Sequence, residues 1–293
     1  MTLFKGAGVA IVTPFKDGKV DFESMGRLID WQIEQGADAI VSCGTTGEAS
    51  TLNDEEQIAT VEFSVKHVAG RVPVIGGAGS NDTAHGVDLV KAVANTGVDG
   101  LLIVTPYYNK CTQKGLIEHF HLMADSAKVP IILYSVPGRT GVNITPASVA
   151  ELAKHPNIVG IKEASGDISQ VVEIGRYVSD DFALYSGNDD MIVPLLSVGG
   201  TGCISVVANV MPKETHEMVM SFLNGDPKKS KDLQLKLKPL IDALFMEVNP
   251  IPVKAALHMM GYIRDEYRMP LTKADSKTLD ALATQLKKLG VKV

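Results

Sequence analysis

The 293-residue sequence has no surplus of positive charge: 28 Lys and Arg stand against 34 Asp and Glu, a formal net charge of −6. A nucleic-acid binder would cluster Lys and Arg to neutralise phosphates, so that class is excluded, whereas a small anionic substrate needs only a local convergence of basic side chains. Cysteine is scarce and unpaired in pattern. Cys43, Cys111 and Cys203 are odd in number, far apart and in no C-x-x-C spacing, which argues against a disulfide framework or a zinc site and fits a reducing cytoplasm. His119 and His121 sit two apart in a helical stretch and face different ways, so no metal is expected. The apolar run at 9–12 is too short for a signal-peptide core, and no stretch reaches membrane-spanning length. No G-x-G-x-x-G follows the first apolar run, which removes the usual sign of a dinucleotide fold.

What is present is a core-forming composition, 45% hydrophobic and 21% charged. Short apolar runs rich in β-branched residues alternate with longer amphipathic segments. Eight runs are expected as buried parallel strands: 8–13, 39–43, 73–77, 100–105, 130–135, 158–162, 183–186 and 202–205. Their apolarity without alternation is what a sheet covered on both faces requires. Helices are expected near 22–34, after an Asn53 N-cap with Asp54, Glu55 and Glu56 in its first turn, and near 83–95, 113–127, 146–154, 168–178 and 190–198. Eight strand-helix units in residues 1–224 predict a closed (β/α)8 TIM barrel, and residues 225–293 a C-terminal helical appendage with Leu279, Leu282, Leu286 and Leu289 on one face of its last helix.

In such a barrel the chemistry gathers where the strands end. Lys162 ends its run sharing a face with Ile158 and Gly160, and Gly160 would leave room around the amine. A lysine inside a barrel is desolvated, which disfavours the ammonium and leaves free amine able to attack a carbonyl; the alternative is a solvated lysine just past a strand. Tyr134 ends the neighbouring run and could relay protons for Schiff-base chemistry, or be a core tyrosine with a bonded hydroxyl. Gly44-Thr45-Thr46-Gly47 suits an anion site, or an ordinary βα turn. Arg139 could grip a carboxylate in two-pronged fashion, or be a surface charge.

These residues sit in a set of motifs: Gly44-Thr45-Thr46-Gly47-Glu48, Thr105-Pro106-Tyr107-Tyr108, Tyr134 through Gly141, Gly160-Ile161-Lys162-Glu163-Ala164, and Asn249-Pro250-Ile251-Pro252-Val253-Lys254. From about Phe4 to the C-terminus the sequence resembles the dihydrodipicolinate synthase family of pyruvate-dependent aldolases. The resemblance implies that Lys162 forms an imine with pyruvate and, through the enamine, attacks L-aspartate 4-semialdehyde on the route to lysine and diaminopimelate, with no cofactor beyond that imine. It further implies that Tyr134 moves the protons with Thr45 and Tyr108 completing its relay, and that Tyr108 reaches across a tight-dimer interface, two dimers making a homotetramer. Thr46 and the main chain at Ile204 would then line the pyruvate site, and Arg139 would hold the semialdehyde carboxylate.

Two departures stand out. Ser135 replaces a frequent asparagine, a change expected to be tolerated because Tyr134 and Arg139 keep their spacing. Lysine-inhibited members use a glutamate where this chain has His85, and often histidines at Asp54 and Gln57; Asn81 and Tyr107 remain. The missing carboxylate implies weak or absent lysine inhibition. Competing readings are an N-acetylneuraminate lyase or 2-keto-3-deoxy sugar acid aldolase, from which Arg139 discriminates because a sugar tail asks for neutral partners, and a non-catalytic barrel that binds a 2-oxo acid.

Overall fold

The computed structural model describes residues 2–293, and among them eight parallel strands close into a barrel. The first strand, β1 (Gly6–Ala10), is followed by a small antiparallel pair, β2 (Phe15–Lys16) and β3 (Lys19–Val20), then by β4 (Ala39–Ser42), β5 (Val74–Gly77), β6 (Gly100–Val104), β7 (Ile131–Ser135), β8 (Ile158–Glu163), β9 (Ala183–Ser186) and β10 (Gly202–Ser205). The ring runs β1-β4-β5-β6-β7-β8-β9-β10 and closes by pairing β10 with β1. The (β/α)8 expectation therefore holds, with the first strand displaced: pairing begins at Gly6, the Ile11 N–H makes a last ladder bond to the Val41 carbonyl, and the Val12 N–H turns to the Asn209 side chain, 3.2 Å away.

Helices α1 (Phe22–Glu34), α2 (Asp54–Val68), α3 (Thr83–Ala94), α4 (Gln113–Ser126), α5 (Pro137–Thr140), α6 (Pro146–Leu152), α7 (Ile168–Gly175), α8 (Ile192–Leu196) and α9 (Pro212–Leu223) lie along the barrel sequence. The Asn53 cap is a full capping box: its side chain accepts from the Glu56 N–H at 2.8 Å, and Glu56 accepts from the Asn53 N–H. Two helices were not anticipated. The four-residue α5 starts on Pro137 and stops at Gly141, whose φ of +71° suits glycine; α9 starts on Pro212 at its first position. The expected helix at 190–198 is a 3-10 turn at Asp189–Met191 followed by α8, and α7 ends three residues early, where the Tyr177 N–H bonds three residues back. The C-terminal helical region consists of α10 (Pro227–Leu244), α11 (Ile251–Met259) and α12 (Ser276–Lys288); α10 packs along α9 and α12, and Leu282 and Leu286 are fully buried.

Two apolar layers result. Inside the ring, Ala10, Ala39, Val41, Ile75, Leu102 and Ile132 pack with Ala183, Tyr185 and Ile204, and Phe4 fills one end by stacking on Tyr185 at 4.5 Å and accepting its hydroxyl at 2.8 Å. Between ring and helices lies the larger cluster. One strand departs from simple alternation. Ile131 pairs with Ile158 but Ile132 pairs with Gly160, so an extra residue is accommodated on β8. Ile158 consequently packs in the outer layer with Ile131, on the opposite side from Lys162, which corrects the shared face expected for Ile158 and Lys162.

Candidate active site

The β7–β8 register brings Tyr134 directly beside Lys162. Both are interior, 6% and 5% exposed, and the Lys162 ammonium nitrogen lies 4.3 Å from the centre of the Tyr134 ring. Room for the amine does not come from Gly160, as the sequence suggested: a β-carbon there would lie 2.7 Å from the Ala183 carbonyl oxygen, so that glycine allows β8 and β9 to approach. Gly187, just past β9, supplies the room. A β-carbon on it would sit 3.0 Å from the Lys162 Cε and 2.8 Å from the Ala164 side chain.

A cavity of about 570 Å³ opens over the C-terminal ends of β4 to β7. Thr45, Tyr134 and Arg139 line one part of it, and Asp54, His85 and Tyr107 another. Lys162, Thr46 and Ile204 lie outside its lining; Lys162 adjoins it through the Tyr134 ring, and Ile204 packs with Tyr134 inside the barrel. Thr46 is buried, and its hydroxyl oxygen accepts from the Asn249 amide at 3.0 Å, which leaves the hydroxyl hydrogen free to point at another acceptor. Arg139 is exposed, carried by α5, and donates to the Asn249 carbonyl at 3.2 Å; no carboxylate pairs with it among the described residues. Tyr108 stands apart. It is 93% exposed, outside the cavity lining, on a left-handed backbone with φ of +70°. Within one chain the phenol is therefore not joined to Thr45 and Tyr134. A non-glycine residue held there marks local strain of the kind found at functional positions.

The buried acids next to Lys162 in sequence and space, Glu163 and Asp189, do not line the cavity. Burial raises the Glu163 carboxyl above its usual range against donation from Ser165 and Gln170, and burial likewise raises Asp189, opposed by Ser205, by the Val206 and Val207 N–H groups and by the Lys162 charge. Burial pushes the Cys43 thiol up to about 12, so it is inert at neutral pH. Ser135 faces away from the barrel interior, donating to Asn143 at 3.1 Å and accepting from the Ile144 N–H.

At the far side of the cavity, His85 bonds Asp54 at 2.9 Å through Nε2 and Ser80 at 3.0 Å through Nδ1, while the Gln57 amide donates to the Gly77 carbonyl at 2.9 Å. Asn81 donates to the Tyr107 carbonyl at 3.1 Å. Position 85 carries no carboxylate, as the sequence shows, and the Asp54 carboxylate beside it is engaged by the His85 imidazole.

The Dihydrodipicolinate synthetase family model matches residues 3–289. The chain belongs to this family. A relative in it, the 4-hydroxy-tetrahydrodipicolinate synthase of Caldicellulosiruptor saccharolyticus, is 56% identical over 294 residues, covering 100% of this chain and 99% of the relative. The crystal structure of dihydrodipicolinate synthase from Thermotoga maritima superposes with a TM-score of 0.97 at 46% identity, covering 99% of this chain and 100% of that one. The chloride-inhibited dihydrodipicolinate synthase from Acinetobacter baumannii, solved with pyruvate, gives 0.96 at 43% identity, covering 99% and 100%.

Against the family motifs, three features went unassigned in the sequence: Gly187, Asn249, and the Glu48 and Lys254 that bond each other in the interior. The last three lie inside quoted motifs, yet their partners are some 200 positions away along the chain. Gly187→Ala crowds both the Ala164 side chain and the Lys162 Cε, so the reaction of Lys162 with a 2-oxo acid is expected to slow by roughly tenfold or more, read as the rate of borohydride-trapped adduct by mass spectrometry. A wild-type rate would contradict the assignment of that glycine.

Proposed function

We propose that the protein is a lyase that condenses pyruvate with L-aspartate 4-semialdehyde to give 4-hydroxy-tetrahydrodipicolinate, through an imine at Lys162. The observation that carries this reading is the buried amine of Lys162 against the phenol ring of Tyr134, within a family whose relatives at 53–56% identity bear that enzyme's name. The Lys162 amine attacks the C2 carbonyl of pyruvate, and the carbinolamine loses water to give the imine. Removal of a C3 proton yields the enamine, whose C3 forms the new bond to the aldehyde carbon of the semialdehyde. The semialdehyde amine then attacks the imine carbon, closing the ring and releasing Lys162.

In this reading Tyr134 transfers the protons, a role suited to a phenol that touches both the amine and the cavity. Thr45 and a Tyr108 donated by a second subunit complete the relay; the exposure of Tyr108 and its strained backbone favour that use. The assembly would be a dimer of tight dimers, although one similar chain, 46% identical, is a monomeric dihydrodipicolinate synthase variant. Thr46 and the Ile204 main chain bind the pyruvate carboxylate. Arg139, unpaired and at the cavity edge, holds the semialdehyde carboxylate, which favours this substrate over the neutral tail of a sugar acid. The reaction needs no metal, and among the described residues no group of three or more His, Cys, Asp or Glu could hold one. No helix among them is long and apolar enough to cross a membrane, and we place the enzyme in the cytoplasm.

Borohydride reduction with pyruvate is expected to add mass at Lys162 and to add none in Lys162→Ala; the absence of a wild-type adduct would sink the mechanism. Arg139→Ala is expected to lower kcat/KM for the semialdehyde by roughly tenfold or more while leaving the pyruvate adduct intact, and undiminished condensation would favour the sugar-acid alternative. With Asp54 engaged by His85, lysine inhibition is expected to be weak or absent, and strong inhibition by sub-millimolar lysine in a steady-state assay would refute that.

A further inference from the structure

The mechanism makes no use of the most deeply buried ion pair among the described residues. Glu48 and Lys254 pair with neither side chain exposed. Lys254 also lies over the faces of Phe15 and Tyr267, at 4.3 and 5.1 Å, and the Arg268 N–H donates to the second Glu48 oxygen at 3.3 Å. Arg268 is in turn gripped by Glu56 at 2.6 Å and lies 4.6 Å from Phe15. Burial pulls the Lys254 amine down from its usual range, and the Glu48 charge pulls it back.

Stability is a weak reason for such a pair, because well-packed apolar residues of similar volume usually serve as well or better. Geometry is a stronger one. The turn from Cys43 to Glu48 begins and ends on left-handed residues, each with φ of +55°, a conformation its surroundings must impose. Thr13 holds the Gly47 carbonyl at 2.6 Å from one side, and Glu48 is fixed by Lys254 from the other. Two residues before Glu48 is Thr46; five before Lys254 is Asn249, which donates to the Thr46 hydroxyl and accepts from Arg139. The ion pair and the Asn249 bonds thus join the same two segments at both ends.

We propose that the Glu48–Lys254 pair is a positioning device that locks the 43–48 turn against residues 249–254, so that the Thr46 hydroxyl is held in register to bind the pyruvate carboxylate. This rests on the reading of Thr46 given above. Neither charged residue touches substrate, and each acts through the turn.

The test is a double-mutant cycle on the full-length enzyme with saturating semialdehyde. Lys254→Met keeps the length and the aromatic contacts but removes the charge. It is expected to raise KM for pyruvate about tenfold, the scale of one lost bond to a charged group, with kcat changed less than about threefold. Thr46→Val is expected to raise KM as well, and the double variant no further than Thr46→Val alone, because both changes remove the same interaction. A purely structural pair would instead lower kcat with the folded fraction and leave KM unaltered, which overturns the proposal. An unaltered KM in Lys254→Met beside a raised one in Thr46→Val also overturns it, with the Thr46 reading intact; an unaltered KM in Thr46→Val removes that reading and the proposal with it. Should Lys254→Met not fold, Glu48→Gln keeps an acceptor and the shape of the side chain, and a KM rise of about threefold supports the proposal where an unaltered KM rejects it.

Discussion

The register between β7 and β8 is the constraint on which the site depends. Strand residues alternate faces with a period of two, so a slip of one in either strand would turn its own functional side chain, Tyr134 of β7 or Lys162 of β8, out of the barrel and into the helix layer. The extra residue on β8 falls between the Ile131 and Ile132 pairings, before the strand reaches its functional end. It lets Ile158 fill the outer core while Gly160 and Lys162 face inward. Desolvation of the amine and its contact with a phenol that lines the cavity at the strand ends both follow from that one alignment.

A second layer of order comes from far along the chain. The segment from Asn249 to Lys254 returns to the turn after β4 and bonds it through Thr46 and Glu48, and it reaches Arg139 on α5 through the Asn249 carbonyl. The C-terminal helical region is therefore more than a cover for the barrel's outside. It fixes residues at the mouth, where a 2-oxo acid carboxylate and a second carboxylate would have to be held at the same time. The Glu48 carboxylate, helped by the aromatic faces of Phe15 and Tyr267, explains how a charged lysine is tolerated there with no access to water.

How much of this could be read from the sequence follows from the kind of signal each feature leaves. Continuous β-branched runs mark buried parallel strands, and all eight were legible, as was the Asn53 cap with its acidic first turn. The end of β1 was not, because Ile11, Val12 and Thr13 look like strand residues and only the Asn209 side chain takes the Val12 N–H away from the ladder. No helix was expected at α9, and α5 is a single turn that hydropathy cannot resolve. A bulge leaves no trace in composition, which is why Ile158 was given the wrong face. At the site, Lys162, Tyr134, Thr45 and Arg139 stood out because polar groups at strand ends are conspicuous, and the family motifs extended that list. The role of Gly187 and the Glu48–Lys254 contact depend on distances between segments, and no local pattern encodes them.

The central claim is that an enclosed Lys162 joins carbon to carbon through an imine beside Tyr134. A crystal structure of the enzyme soaked in pyruvate tests it most directly. The account requires continuous density from the Lys162 Nζ to the C2 of the three-carbon acid, with the carboxylate on the Thr45–Thr46 turn and the Tyr134 hydroxyl within hydrogen-bond reach. Pyruvate bound elsewhere, with the Lys162 side chain unmodified and turned toward bulk solvent, would contradict it.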